Sequence, residues 1–491
     1  VERLENFFTG ENSHSYRLTN QEKGTYNVGE KGVTDMKTHQ TDFSQGSIYR
    51  NIMEVAVPMT VAQLLNLLYN IVDRMYIGRI PEVGTLALTG VGLCFPIITL
   101  VSAFTLLFGN GGGPLCAMER GRGNEEEAEY LMGNSFLMLV LTGAVLMVAG
   151  LLFYKPVLYL FGASDATFVY AGSYIRIYLL GTLFVMISVG MNPFINSQGF
   201  GNIGMFSVLI GAVLNIVLDP LFIFVLKMGV QGAAIATILS QLASAIWVLR
   251  FLTGKKAVLR LKADRLKLSG KRVLQIMALG VSGFIMSFTN GLVQVACNAT
   301  LQTYGGDIYV GVMTVLNSVR DICTLPVNGI TSGASPVMSF NYGAKAYHKV
   351  KQAIWFVTGL CVSYTLLIWG VLKLFPEFFI RIFNDSPELV EKGVPALHIY
   401  FFGFCFMALQ FTGQNVFVAL GKSGKAVFFS LLRKAFIVVP LTLLLPQVAG
   451  LSVDGVFWAE PISNLIGGCA CFITMLCTVL PELKRREQEG L

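Results

Sequence analysis

The chain has 491 residues, of which 54% are hydrophobic and only 13% charged, with a mean hydropathy of +0.63. Soluble domains carry about 25% charged residues, so a water-soluble enzyme or a string of globular domains is excluded. The net charge of +7 does not mark a nucleic-acid binder. Much of the excess crowds into one stretch between two apolar runs (Lys255, Lys256, Arg260, Lys262, Arg265, Lys267, Lys271, Arg272), which is the pattern of a cytoplasmic loop.

In chain order, residues 1–47 are polar and lack the apolar core of a signal peptide. They are expected to be disordered. Met36 opens a short polar lead into the first helix, so the residues before it are expected to precede the native start. Twelve apolar spans follow, at 51–77, 86–109, 131–154, 167–190, 194–225, 229–252, 272–298, 308–330, 350–374, 393–418, 425–446 and 454–479. Each is long enough for the roughly 20 residues that a bilayer crossing needs. Loops after even-numbered spans hold the basic residues: Arg120 and Arg122, the long cluster, Lys345, Lys349 and Lys351, and Lys422 and Lys425. This bias places both termini in the cytoplasm of a multi-pass cell-membrane protein. The expected fold is all-α, with twelve transmembrane helices in two six-helix lobes, 48–252 and 272–480. A basic linker (253–271) joins the lobes and a cytoplasmic tail (481–491) follows.

The two lobes are legible as a repeat. An offset of 222 aligns Pro114 with Pro336, Gly121 with Gly343, Tyr178 with Tyr400, Gly181 with Gly403, and Gly199 with Gly421. One residue more brings Val230–Gly232 onto Val453–Gly455 and Ser240 onto Ser463. Two halves of six spans insert with the same orientation, so the repeat is parallel, with an axis along the membrane normal. Such a pair leaves a cleft between lobes, and rocking about it provides alternating access.

Polar groups at membrane depth are functional candidates by default. Gln63, Asn66, Asn70 and Asp73 are spaced 3, 4 and 3 apart, which puts them on one face of the first helix. Such a stripe faces protein or water, as cavity lining or as interhelical hydrogen bonding. Asn215 and Asp219 stand one turn apart on the fifth span, and Thr237 lies in the sixth. Pro220 lacks an N–H, so a carbonyl one turn earlier loses its donor. Two carboxylates, an amide oxygen, a hydroxyl and a loose carbonyl suit a sodium ion. The same two carboxylates in low dielectric also suit a shared proton. At an offset of 224, Asn290 and Gln294 repeat Asn66 and Asn70, but Asp73 meets Cys297, while at 222 Asn215 meets Ile437 and Asp219 meets Leu441. The acid cluster is therefore not duplicated. The second lobe carries charges of its own, Arg320, Asp321, Arg433, Lys434 and Glu460. Structural pairing of Arg320 or Arg433 with Glu460 and a second ion or substrate site are both open, and Arg433 and Lys434 are near enough to their helix end to snorkel.

Other features read as structural. The nine cysteines fall in or beside apolar runs, with no loop pairs or histidine partners, and behave as small hydrophobes. Glu125, Glu126, Glu127 and Glu129 are expected to be a solvated helix start. Gly109-Asn-Gly-Gly-Gly-Pro lacks the ending and the preceding strand of a phosphate loop.

Asn70–Gly78, Leu214–Ile223 and Gly232–Thr237, with the duplicated Gly/Pro-rich ends of the second and eighth spans, resemble the multidrug and toxic compound extrusion (MATE) family across residues 48–480. That resemblance implies a monomeric exporter in the lipid bilayer, moving small organic cations in exchange for protons or sodium ions. It implies no enzymatic activity, no cofactor and no structural metal. It places a cation site at Asp73, Asn215, Asp219 and Thr237 and a helix-bending proline at Pro58. Flippases for lipid-linked oligosaccharides share the fold type and are the alternative, because Arg320, Arg433 and Lys434 would hold a pyrophosphate. A major-facilitator reading fails on the loop after the second span, Glu119-Arg-Gly-Arg-Gly-Asn. A membrane transferase reading fails for want of clustered acids at a helix end.

Overall fold

The computed structural model describes residues 40–383, 386–448 and 450–489. The expectations for residues 1–39, the Met36 start included, lie outside the described residues. Within them the chain is helical. The first lobe contains α1 (Ile48–Gly78), α2 (Gly84–Gly92), α3 (Phe95–Gly121), α4 (Glu125–Leu160), α5 (Asp165–Leu180), α6 (Thr182–Gly190), α7 (Asn192–Asn196), α8 (Gly201–Pro220) and α9 (Gly229–Thr253). The second contains α10 (Gly270–Gly343), α11 (Tyr347–Leu374), α12 (Pro376–Arg381), α13 (Pro387–Tyr400), α14 (Phe404–Ala419), α15 (Ser423–Leu431), α16 (Val439–Leu444) and α17 (Ser452–Glu489).

Nine of these helical segments, counted among the described residues, are long and apolar enough to cross a membrane, and two bent pairs bring the number to eleven. The twelfth is hidden in α10, whose 74 residues would span about 110 Å if straight. Gly306 breaks it with φ 71° and ψ −169°, a conformation that side chains with a Cβ avoid. Residues on both sides of the break (Asn290 and Gln294, Asn317 and Arg320) line one cavity, so the two arms fold back on each other.

The repeat is structural as well as sequential. The bends between α5 and α6 (57°) and between α13 and α14 (49°) fall at the equivalent Gly181 and Gly403. Gly199 and Gly421, also equivalent, both take positive φ, 88° and 72°, in the turn before a helix. The fifth span therefore starts at Gly201 rather than 194. The residues at 197–200 are a turn whose apolar flanks disguised it.

The lobes meet along glycine-lined crossings. A Cβ on Gly280 of α10 would stand 1.8 Å from the Leu107 carbonyl oxygen of α3, and one on Gly121 would stand 2.0 Å from that of Phe340. In lipid no hydrophobic force drives helices together, so backbone-to-backbone packing of this kind supplies the association. Gly329 and Gly333 let α10 approach Thr60 and Ala56 of α1 in the same way, on either side of Pro58. Here α1 runs as one uninterrupted helix through Pro58.

Two expectations differ from the structure. Residues 40–47, read as disordered, are packed between the lobes. Phe43 is fully buried, edge-on to Phe340 at 5.7 Å, with the Arg120 guanidinium 5.8 Å from its ring. The Thr41 N–H donates to Gly199 O at 2.9 Å, and Lys349 Nζ donates to Ser44 O at 2.6 Å. A single aromatic in a polar stretch has no periodicity to announce it. The acidic start of α4 is not simply solvated either. Glu127 takes both arms of Arg272 at 2.7 and 2.8 Å, Glu126 pairs with Arg265, and the buried Glu129 accepts from Lys262 at 2.8 Å and from the Arg260 N–H at 3.1 Å. Buried Asn134 adds two bonds, donating to Lys267 O and accepting from the Ser269 N–H. The basic linker is thus strapped to the acidic end of α4 by opposite charge.

Candidate functional site

Three helices of the first lobe converge on one polar spot. Asp73 comes from the last turns of α1, Asn215 and Asp219 from α8, and Thr237 from α9. Asp219 is fully buried and Asn215 nearly so. The spacing of four brings Asn215 Nδ2 to donate to Asp219 Oδ1 at 3.2 Å, and the same amide reaches Thr237 Oγ1 at 3.4 Å. The carboxyl groups of Asp73 and Asp219 lie within hydrogen-bonding reach of each other. Two carboxylates at that separation repel unless a proton or a cation stands between them. After Pro220, α8 continues as a widened turn, Leu221–Val225, as expected where a helix has lost an N–H donor.

Three buried oxygens here have no hydrogen-bond partner: Asp73 Oδ1, Asn215 Oδ1 and Asp219 Oδ2. Buried acceptors are rarely left unpaired, and oxygens sharing a small polar spot suit a positive charge. No group of three His, Cys, Asp or Glu exists among the described residues. A bound cation therefore depends on amide and hydroxyl oxygens beside the two carboxylates, a donor set for a hard ion or a proton rather than a transition metal.

Two aromatic hydroxyls belong to the site and were not singled out from the sequence. Tyr174 of α5 lies within hydrogen-bonding reach of Thr237, and Tyr69 of α1 within reach of Asn70. Tyr69 is four residues before Asp73, so helical spacing could have found it. Tyr174 could not be found that way, because only the α5–α9 packing brings it in. The remaining stripe residues of α1 continue outward from Asp73. Asn70 Nδ2 donates to Asn66 O at 2.6 Å, Asn66 is exposed, and Gln63 stands a turn further along.

The second lobe gathers its charges separately. Glu460 of α17 accepts from Lys434 Nζ at 3.1 Å and Arg433 Nη2 at 3.4 Å, and stands 3.9 Å from Arg320 Nη1. Arg433 and Lys434 are buried and turn inward to this acid; they do not snorkel. Arg433 also donates to Asn464 Oδ1 at 2.8 Å, one turn beyond Glu460. Arg320 donates to Tyr400 Oη at 2.7 Å, and that hydroxyl donates to Asn317 Oδ1 at 2.9 Å. Asp321 is largely exposed and 3.5 Å from Arg320. Asn290 and Gln294 open onto the same cavity.

The chain is similar to known proteins over nearly all of this architecture. A family model described as MatE matches residues 58–221 and again 282–444, one match per lobe. The multidrug export protein MepA of Staphylococcus haemolyticus is 23% identical over 433 residues, 88% of this chain and 94% of that protein. The MepA of Staphylococcus aureus is 21% identical over 431 residues with the same coverage. Among solved structures, a MATE protein in a bent conformation superposes with a TM-score of 0.86 at 21% identity, over 92% of this chain and 99% of that one. A MOP-superfamily transporter from Pyrococcus furiosus gives 0.85 at 21%, over 93% and 100%. At such identities the structural likeness shows the fold alone.

Proposed function

The chain belongs to the MATE family of multidrug efflux transporters, and from that premise we propose that it is a secondary antiporter, exporting small organic cations in exchange for protons or sodium ions. Its spans cross the cell membrane, with both termini in the cytoplasm. It works as a monomer, since each chain holds both lobes and the cleft between them.

The observation that carries this reading is the set of three unpartnered buried oxygens at Asp73, Asn215 and Asp219. With the cleft open to the outside, Asp73 and Asp219 take up a proton or a sodium ion, with Asn215 and Thr237 as neutral oxygen ligands. Occupation removes the repulsion between the carboxylates and weakens the hold on an organic cation in the cleft, which leaves. The lobes then rock on their glycine seam, the ion departs to the cytoplasm, and a new substrate enters. Coupling requires only that ion and substrate compete, or that each favours a different orientation of the lobes.

The test is dye efflux from liposomes containing the purified protein, under an imposed proton or sodium gradient, with Asp219→Asn alongside. Efflux driven by one gradient and lost in a folded Asp219→Asn variant is expected. Gradient-driven efflux at the wild-type rate in that variant would falsify the site. Absence of efflux with either ion would favour the flippase reading, which the cationic cluster around Glu460 supports.

A further inference from the structure

The two lobes hold polar centres of opposite sign. The first offers carboxylates and orphaned oxygens. The second offers three cations, Arg320, Arg433 and Lys434, which share the one buried acid Glu460 at 3.9, 3.4 and 3.1 Å. The other acid nearby, Asp321, has a side chain 66% exposed and lies 3.5 Å from Arg320. Arg433 is occupied on both arms, by Asn464 and Glu460. Arg320 and Lys434, with Glu460, border a partly open cavity of about 200 Å³ that also reaches Asn290 and Gln294. This is far more than the roughly 10–15 Å³ one water needs, and it accommodates a small anionic group with part of its scaffold.

The sequence repeat shows that this polarity is a departure from the first lobe. At the offset of 223 that joins Ser240 to Ser463, Glu460 stands where the first lobe has Thr237. At 222, Arg433 and Lys434 replace Gly211 and Ala212. Positive charge in excess of its counterions at membrane depth is costly, and an anionic ligand would offset that cost.

We propose that this second-lobe cavity is a binding site for the carboxylate of an organic molecule, held between Arg320 and Lys434. Arg320, with Nη1 bonded to Tyr400 and Nη2 3.5 Å from the exposed Asp321, has N–H groups left over for a carboxylate, and Lys434 supplies a point charge at the same cavity. Glu460 keeps the cations apart while the site is empty and relinquishes part of its hold on them when the carboxylate arrives. Export of the bound molecule rests on the antiport reading above; binding does not, and binding alone is measured.

The experiment uses the full chain in nanodiscs of zwitterionic lipid, without any ion gradient. Fluorescence anisotropy compares a xanthene dye carrying a benzoate with the methyl ester of the same dye. The acid is expected to bind at least tenfold tighter, as two charge-assisted hydrogen bonds imply. That preference should fall to within about twofold of unity in Arg320→Gln and in Lys434→Gln, and survive in Arg176→Gln, which removes a cation from the other lobe. Should both variants fail to fold, competition in the wild type decides: potassium benzoate displaces the acid dye, and neither potassium chloride nor methyl benzoate does. Equal binding of acid and ester, or an undiminished preference in both folded variants, overturns the proposal. So does displacement of the acid dye by phosphatidylglycerol in the nanodisc as readily as by benzoate, which would assign the site to a lipid headgroup.

Discussion

Gly280 is where the packing of the two lobes is tightest against substitution, and replacing it with alanine gives a prediction with its own control. The added Cβ would sit 1.8 Å from Leu107 O, 2.7 Å from Leu107 C and 3.0 Å from Leu107 Cα. All three are backbone atoms of α3, so no side chain can swing aside. A carbon–oxygen contact settles at about 3.3–3.6 Å, and the helices must part by roughly 1.5 Å. Overpacking of this kind costs about 1–3 kcal/mol. Gly283 lies three residues along the same helix, and a Cβ there meets nothing within 4 Å. Both substitutions gain up to about 1 kcal/mol of helix propensity, so their difference isolates the steric cost. In mixed-micelle unfolding, Gly280→Ala is expected to be destabilised by about 1–3 kcal/mol relative to Gly283→Ala. Equal stability of the two variants would refute the account of the lobe seam.

Further outcomes follow from the packed N-terminal segment and the linker. Phe43→Ala removes a fully buried ring at a cost of about 3–5 kcal/mol, enough to free residues 40–47; rapid cleavage there by an added protease, slow in the wild type, is the readout. The Asp42 carboxyl accepts from the Ser44 hydroxyl and N–H, which hold it below the usual aspartate range. A lowered carboxylate pKa contributes stability above the ordinary value of about 3.9, and that contribution is lost as the pH falls through the lowered one. Wild type and Ser44→Ala should therefore differ in protection of the segment at neutral pH and converge in acid; a difference that persists unchanged at low pH refutes this. Asn134→Ala strands Lys267 O and the Ser269 N–H, at about 1–3 kcal/mol, and linker protection in hydrogen exchange should fall; unchanged exchange at 267–269 would count against it.

Much of the candidate site could be read without the structure because helices translate spacing into direction. The interval of four between Asn215 and Asp219 put both on one face, and the hydrogen bond between them follows from that interval. Asp73 stood out because an acid in an apolar run is costly. Its grouping with Asp219 was an expectation from residue chemistry, while the side-chain direction of Arg74, whose guanidinium sits 4.4 Å from the Phe95 ring centroid, had no signal in the linear order. The second-lobe charges were visible singly, with pairing of Arg320 or Arg433 to Glu460 and snorkelling of Arg433 and Lys434 both open. Only the approach of α17 made inward pairing with Glu460 the lower-energy choice.

The sequence by itself determined the medium, the number of spans and the duplication, since these depend on local composition and on period, which a lipid environment enforces strongly. Gly306 and Gly421, whose positive φ glycine adopts readily, fall in its gaps between spans, whereas the turn at Gly199 was hidden by apolar flanks. The tertiary structure decided what is held by contacts between distant segments. Phe43 is locked between lobes nearly 300 residues from its partner Phe340, Glu126 is paired with the linker and Glu127 with the start of α10, and Tyr174 is brought to Thr237. Such contacts have no period and no local signature, because their energy depends on where other helices come to rest.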